Sequence, residues 1–221
     1  MGRVFGTILI WLWSSTVTGY PTPVDFDGEI LRWNIDETSD PITFEIIGNE
    51  SAVLSYGFAI AEAAAKWSDV DTSYFRYTPV TFGETADVTI KLKDSISGGQ
   101  FSAGFATFDE KNDAGEVVHC TIEILVGPTV GLISFSKTIL HELGHCLGLG
   151  HSLVPESIMS YALDQNSFDL DLDDIAAISR LYPADGSDPT LPPGCSLGAT
   201  TGGQPVLLLL LPLLVLFFRR E

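Results

Sequence analysis

The chain has 221 residues, with 29 Asp and Glu against 11 Lys and Arg, a formal net charge of -18. A surface this acidic repels phosphate, which excludes sequence-independent binding to nucleic acid and makes an anionic membrane face a poor partner. Hydrophobic residues reach 45%, too many for a disordered acidic tail, so the length accommodates one ordinary domain with a buried core.

Residues 1–19 combine one basic residue (Arg3), an apolar run from Val4 to Trp13 and a polar stretch ending in Val17 and Gly19. This is the layout of a secretory signal peptide, because the run is too short for the roughly 30 Å of a bilayer's hydrocarbon core. The segment 20–183 shows no internal repeat and reads as one domain. Within it, 30–47 reads as a strand region, in which Ile42, Phe44 and Ile46 alternate with Thr43 and Glu45. Val53, Gly57, Ile60, Ala64 and Trp67 follow at 4-3-4-3 spacing, which predicts an amphipathic helix over 51–68 with that stripe on the core. Val88, Ile90 and Leu92 alternate with Thr89, Lys91 and Lys93, a strand with one buried face. Residues 101–108 and 117–125 are two further extended runs. The acidic separator 109–116 reads as a solvated turn; calcium coordination stays open as the alternative, although its spacing matches no EF-hand loop.

Residues 141–151 read HELGHCLGLGH and contain H-E-x-x-H-x-x-G-x-x-H. On a helix His141 and His145 stand one turn apart on one face, so both imidazoles reach a single metal ion. Gly148 takes the backbone conformation that ends such a helix, and the chain turns back to deliver His151 as a third ligand. Three neutral imidazoles with an open fourth position describe a catalytic zinc site rather than a closed structural one. Glu142, beside a ligand without being one, is placed to act as general base on water in the open position. A bare H-E-x-x-H arises too often by chance to decide anything; the added Gly148 and His151, and the presence of three of the chain's 4 histidines in this one motif, make chance a poor account. Ile139, Leu143, Cys146 and Leu147 lie on the opposite face, so the core and the metal take opposite sides of the helix.

Cys120 shares the Ile122 and Ile124 face of its strand, and Cys146 shares the Leu143 face of the motif helix. Two of the 3 cysteines therefore face one core, which predicts a Cys120–Cys146 disulfide, with two buried free thiols as the alternative. Farther on, Asp173 or Asp174 caps a helix over 173–181 whose apolar face carries Ile175, Ile178 and Leu181. Residues 184–205 have linker composition, rich in Pro, Gly, Ser and Thr, and include Gly194 and Cys195. The apolar run 206–218, interrupted by Pro212 and closed by Arg219 and Arg220, is short for a bilayer span. Its layout resembles the C-terminal sorting tails of bacterial envelope proteins. A plain membrane helix with cytoplasmic arginines and a lipid-anchor signal are the alternatives, and each places the domain outside the cytoplasm.

The motif, followed by Met159 in SIMSY, resembles the metzincin zinc peptidases and, within them, the matrixins. Ser152 directly after the third histidine, the stretch LDLDDIAAISRLYP over 170–183, and a long helix ending in Lys66, Trp67 and Ser68 ahead of three strands carry that resemblance, which covers roughly 31–183. It implies an α+β domain, with a twisted, mostly parallel sheet and long helices above an active-site cleft and a small C-terminal subdomain below it. It also implies a Met-turn at Met159 under the zinc, and an edge strand at 101–108 that pairs with an extended peptide substrate. Tyr161 departs from matrixins and is similar to astacins and serralysins, whose tyrosine at this place touches the zinc or the reacting oxygen. It is a candidate catalytic residue, with a simple cleft-wall tyrosine as the alternative. Matrixins often bind a second, structural zinc, but 95–100 has no histidine, Gly104 stands where a strand histidine is expected, and His119 alone cannot hold it, so one zinc per chain is expected. No cysteine lies between Gly19 and the domain, so latency through a prodomain thiolate is not expected.

Together these features predict an exported, monomeric zinc metalloendopeptidase in which His141, His145 and His151 hold Zn²⁺ and Glu142 passes a proton from water to the leaving amine. Two rivals use the same residues: a non-catalytic envelope protein that keeps the metal for rigidity, and a metal hydrolase acting on a non-peptide amide. The presence of Glu142 speaks against the first.

Overall fold

The computed structural model describes residues 31–80, 84–95, 103–112, 116–128, 130–161 and 168–186. The chain divides into the units Met1–Pro189 and Thr190–Glu221, and every described residue belongs to the first. The expectations placed on 1–19, on Gly194 and Cys195, and on 206–221 lie outside the described residues.

In chain order the elements are β1 (Ile42–Ile47), α1 (Glu50–Ser68), β2 (Tyr77–Pro79), β3 (Val88–Lys93), β4 (Gly104–Lys111), β5 (Val117–Leu125), α2 (Leu132–Cys146) and α3 (Leu172–Leu181). The strands form one sheet in the order β2-β1-β3-β5-β4, parallel except for the antiparallel edge strand β4. This is the α+β, mostly parallel arrangement that the resemblance implies. The alternation read in β3 is matched across the ladder, where Val88, Ile90 and Leu92 stand opposite Cys120, Ile122 and Ile124, all buried. One face of the sheet is thereby committed to the core and to the helices.

α1 begins where the Asn49 side chain accepts the Ala52 N–H at 2.8 Å, with Glu50 in the first turn and Lys66 in the last complementing the helix dipole. Its buried face is rotated from the predicted one. Ile60, Ala64 and Trp67 are buried as expected, but Val53 and Gly57 are half-buried, and Ala52, Ala59 and Ala63 complete the stripe. Small side chains let the helix approach its neighbours closely, and this favours the alanine face over the slightly larger one.

Three boundaries also differ from expectation. Of the 30–47 region only Ile42–Ile47 is a strand; Leu31 and Trp33 are buried away from it, and the Trp33 indole N–H donates to the Cys146 carbonyl at 2.7 Å, so this segment covers the end of α2. The edge strand runs from Gly104 to Lys111, later than 101–108, and Asn112 and Glu116 close the following turn by paired hydrogen bonds. α3 starts at Leu172 and is capped by Asp171, not by Asp173 or Asp174, in a capping box completed by Asp174. Cys120 and Cys146 are joined by the expected disulfide, with Cα atoms 5.8 Å apart and both residues fully buried, fastening the last residue of α2 to the middle of β5.

Candidate metal centre and active site

α2 delivers the first two histidines in a fixed orientation. The Nδ1–H of His141 donates to the Ile158 carbonyl at 2.6 Å and that of His145 to the Leu149 carbonyl at 2.8 Å. A carbonyl can only accept, so both Nε2 atoms are left with lone pairs facing outward, and they stand 3.0 Å apart. Two nitrogens each about 2.1 Å from a tetrahedral ion are separated by roughly 3.4 Å, so this pair is near ligand spacing. One ligand nitrogen from each of His141, His145 and His151 lies within 4.8 Å of the others, and the donor set fits a single metal ion of the zinc type. Burial pulls the imidazole pKa values down, that of His145 to about 4 with further help from neighbouring His141. The ligands are thus neutral at pH 7, the form that binds metal.

The close of α2 explains two of the three glycines in the 141–151 stretch. Gly148 has φ +96, and a Cβ there would collide with the Leu31 carbonyl oxygen. A Cβ on Gly144, between the two helix histidines, would collide with the Met159 sulfur and stand 2.9 Å from Trp67 Cζ2. Met159 is completely buried, so its thioether packs directly against the backbone of the ligand-bearing turn. The carbonyls of that turn are also tied from outside: the Trp67 indole donates to Leu140, the Tyr77 hydroxyl to Leu143, and the Tyr182 hydroxyl to Leu147, at 2.8, 3.0 and 2.7 Å.

His151 arrives on a loop. The N–H of the next residue, Ser152, donates to the Met159 carbonyl at 2.7 Å, and the Ser152 hydroxyl to Asp173 at 2.5 Å. Tyr161 stacks on the His151 ring with centroids 4.4 Å apart and an interplanar angle of 23°, and is 69% exposed. The sequence-predicted residues Glu142, His141, His145, His151 and Tyr161 are therefore brought into one neighbourhood.

Glu142 is 6% exposed, and burial raises its carboxyl to about 7 against the opposing effect of the Ala106 backbone N–H that donates to it. It does not belong to the ligand cluster. His119 is half-buried on β5 between Asp109 at 3.0 Å and Thr89 at 3.2 Å, and takes no part in the site.

Asp174 was missed as a functional residue. It is completely buried and accepts the Ser157 hydroxyl at 2.6 Å, the N–H groups of Ile158 and Asp171 at 2.8 and 2.9 Å, and that of Met159 at 3.2 Å. The Ile158–Met159 peptide thus donates to a carboxylate on one side and receives His141 on the other. The sequence held a signal: Asp174 precedes Ile178 and Leu181 at 4-3 spacing, an acid on the buried stripe.

The sequence pattern of the matrixins matches residues 32–183. The chain belongs to the matrixin family. Matrixin similarity extends to named enzymes: the chain is 27% identical over 181 residues to metalloendoproteinase 1 of Glycine max, covering 76% of this chain and 58% of that protein. It is 34% identical over 146 residues to macrophage metalloelastase of Oryctolagus cuniculus, covering 57% and 28%, and 31% identical over 199 residues to interstitial collagenase B of Mus musculus, covering 76% and 38%. The matched region thus spans well under two thirds of each of these relatives. At the family level the domain is that of a zinc metalloendopeptidase. Among the described residues no helix is long and apolar enough to cross a membrane.

Proposed function

We propose that this matrixin is an exported zinc-dependent endopeptidase that hydrolyses peptide bonds of extended substrates. The observation that carries the reading is the convergence of three neutral imidazoles and a buried carboxyl group next to the edge strand β4. His141, His145 and His151 would hold the zinc, with Nδ1 of the first two already committed to carbonyls. Zinc, when bound, lowers the pKa of water toward about 7 and polarises the scissile carbonyl.

The other steps belong to the chain. The Glu142 carboxylate takes the proton of the attacking water and returns it to the leaving amine nitrogen, a task suited to a group that titrates near neutrality. β4 carries its antiparallel pairing to β5 on one side only, and its other edge offers N–H and C=O groups to an extended peptide. The Tyr161 phenol, held on the His151 ring, donates to the oxyanion that develops at the carbonyl. Residues 1–19 would direct export, in keeping with a buried disulfide that forms in oxidising compartments, and 206–221 would retain the protein at the membrane until processed.

The test is to incubate the purified chain with a mixed peptide library, with and without a zinc chelator, and to measure bound metal. About one zinc per chain and chelator-sensitive internal cleavage are expected. Zinc binding with no cleavage would leave the binding protein, and cleavage restricted to non-peptide amides would leave the other rival.

A further inference from the structure

Gly104 opens the edge strand β4 and is buried where that strand meets α2. A Cβ placed on it would stand 2.9 Å from Thr138 Cγ2, 3.2 Å from Glu142 Cγ and 3.4 Å from the Glu123 carbonyl oxygen. The first distance is well inside van der Waals contact, and the second leaves the Glu142 stem no room to keep its place. Neither neighbour is free to yield. The Thr138 hydroxyl donates to the Ser134 carbonyl at 2.9 Å, which sets the rotamer of a β-branched side chain and with it the position of the methyl. The Glu142 stem is buried, and two residues along β4 the Ala106 N–H donates to its carboxylate.

We propose that Gly104 is a positioning residue for Glu142: because it has no side chain, the edge strand lies directly against α2 and fixes the carboxylate that moves the proton. The inference rests on the peptidase reading above. Its consequence is mechanical. The strand that aligns an extended substrate is also the wall against which the base is seated, so the separation of scissile bond and base is set by one short contact. Catalytic geometry tolerates errors of only about 0.5 Å, and a methyl group inserted at this contact exceeds that.

The test uses the full chain and compares wild type, Gly104→Ala and the double variant Gly104→Ala/Thr138→Ser. The serine keeps the hydroxyl that bonds Ser134 and removes the methyl nearest the new Cβ. For Gly104→Ala, kcat is expected to fall about 10- to 100-fold while KM and the zinc affinity, measured by chelator competition, stay within about threefold, because His141 and His145 are held by their own bonds to the Ile158 and Leu149 carbonyls. The double variant should regain most of the lost kcat yet remain a few-fold below wild type, since the Glu142 contact persists. A wild-type kcat in Gly104→Ala, a zinc affinity that falls in step with kcat, or a double variant no faster than the single one would overturn the proposal. If Gly104→Ala does not fold, the double variant decides: a few-fold loss of kcat at unchanged KM and zinc affinity supports it, and a wild-type kcat overturns it. A wild type that holds zinc and cuts no peptide sinks the peptidase reading alone. The visible spectrum of the cobalt-substituted protein then reports the site's water: a changed spectrum in Gly104→Ala supports the positioning role, and an unchanged one refutes it.

Discussion

His141 and His145 stand on a helix clamped by partners as far as 73 residues away in the chain, whereas His151 stands on a loop whose side-chain tie reaches across only 21 residues. The helix arm is secured by Ile158 and Leu149 carbonyls, by the buried disulfide at Cys146 and by indole and phenol donors on its last turns. The loop arm depends on Ser152 bonding to the Met159 carbonyl and to Asp173, and on the stacked Tyr161 ring. The difference suits the tasks proposed for them: the helix would present two ligands and the base at fixed spacing, while the loop would close the coordination set with His151. The same α3 that secures the loop through Asp173 also secures the helix arm through Asp174, so the two arms are joined behind the site.

The largest effect expected is at the base. Glu142→Ala should keep about one zinc per chain and lose roughly 10²- to 10⁴-fold in kcat, whereas His145→Ala should lose both metal and turnover. Full activity in Glu142→Ala would remove the mechanism, and loss of zinc from that variant would turn Glu142 into part of the metal-binding arm.

Next in size is the join between the arms. Asp174→Ala strands the N–H groups of Ile158 and Asp171 in a buried site, at about 1–3 kcal/mol each unless water replaces the carboxylate, and removes one acceptor each from the Ser157 hydroxyl and the Met159 N–H. It should also weaken zinc binding about 10- to 100-fold, because the Ile158 carbonyl that orients His141 loses its anchor. Asp173→Ala, which removes one bond to Ser152, should cost on the order of 1 kcal/mol. Equal, cap-sized losses in the two variants, read from thermal unfolding of the metal-free protein, would mean that Asp174 is only part of a helix start.

That contrast also marks what could be read from the sequence. β3, β5, the disulfide pair and the clustering of His141, His145 and His151 were legible because alternation and a motif of five fixed residues are local patterns in which chemistry and geometry coincide. The alanine face of α1 was not, since hydrophobicity ranks Val53 above Ala59 and Ala63 while close packing prefers the small residues. The cap of α3 lies two or three residues before the expected Asp173 or Asp174 because three acids, Asp171, Asp173 and Asp174, all suit a helix start, and only tertiary contacts reveal that the last also binds the Ile158–Met159 turn. The covering role of Trp33 was out of reach for the same reason, its partner Cys146 being 113 residues away.

A third prediction uses acid to separate the arms. Burial holds His145 at about 4 and lowers His141 and His151 as well, while an unfolded histidine titrates near 6.5. Between those values the unfolded histidines bind more protons than the folded ones, so their contribution to the stability of the metal-free protein is fully present above about pH 6.5 and is lost as pH drops toward 4, while the single Glu142, raised to about 7, contributes with the opposite sign. Denaturant melts across that range should show the loss, and His145→Gln should flatten it more than His151→Gln. A slope that His145→Gln leaves unchanged would place the acid sensitivity elsewhere.

The smallest effect separates ring from hydroxyl at Tyr161. Its ring lies on His151 at 4.4 Å, a contact that phenylalanine reproduces, and the residue is otherwise 69% exposed, so Tyr161→Phe should change neither folding nor zinc affinity. If the phenol donates to the developing oxyanion, its removal should lower kcat about tenfold with KM unchanged, less than the loss of a donor in a fully enclosed oxyanion hole because solvent shares the task at this exposure. Tyr161→Ala removes the stack as well, and should add a loss of zinc affinity through a looser His151. The pair of variants therefore assigns the two parts of one side chain: a wild-type kcat in Tyr161→Phe with weakened zinc in Tyr161→Ala would make Tyr161 a buttress of the loop arm and leave the oxyanion to the metal alone.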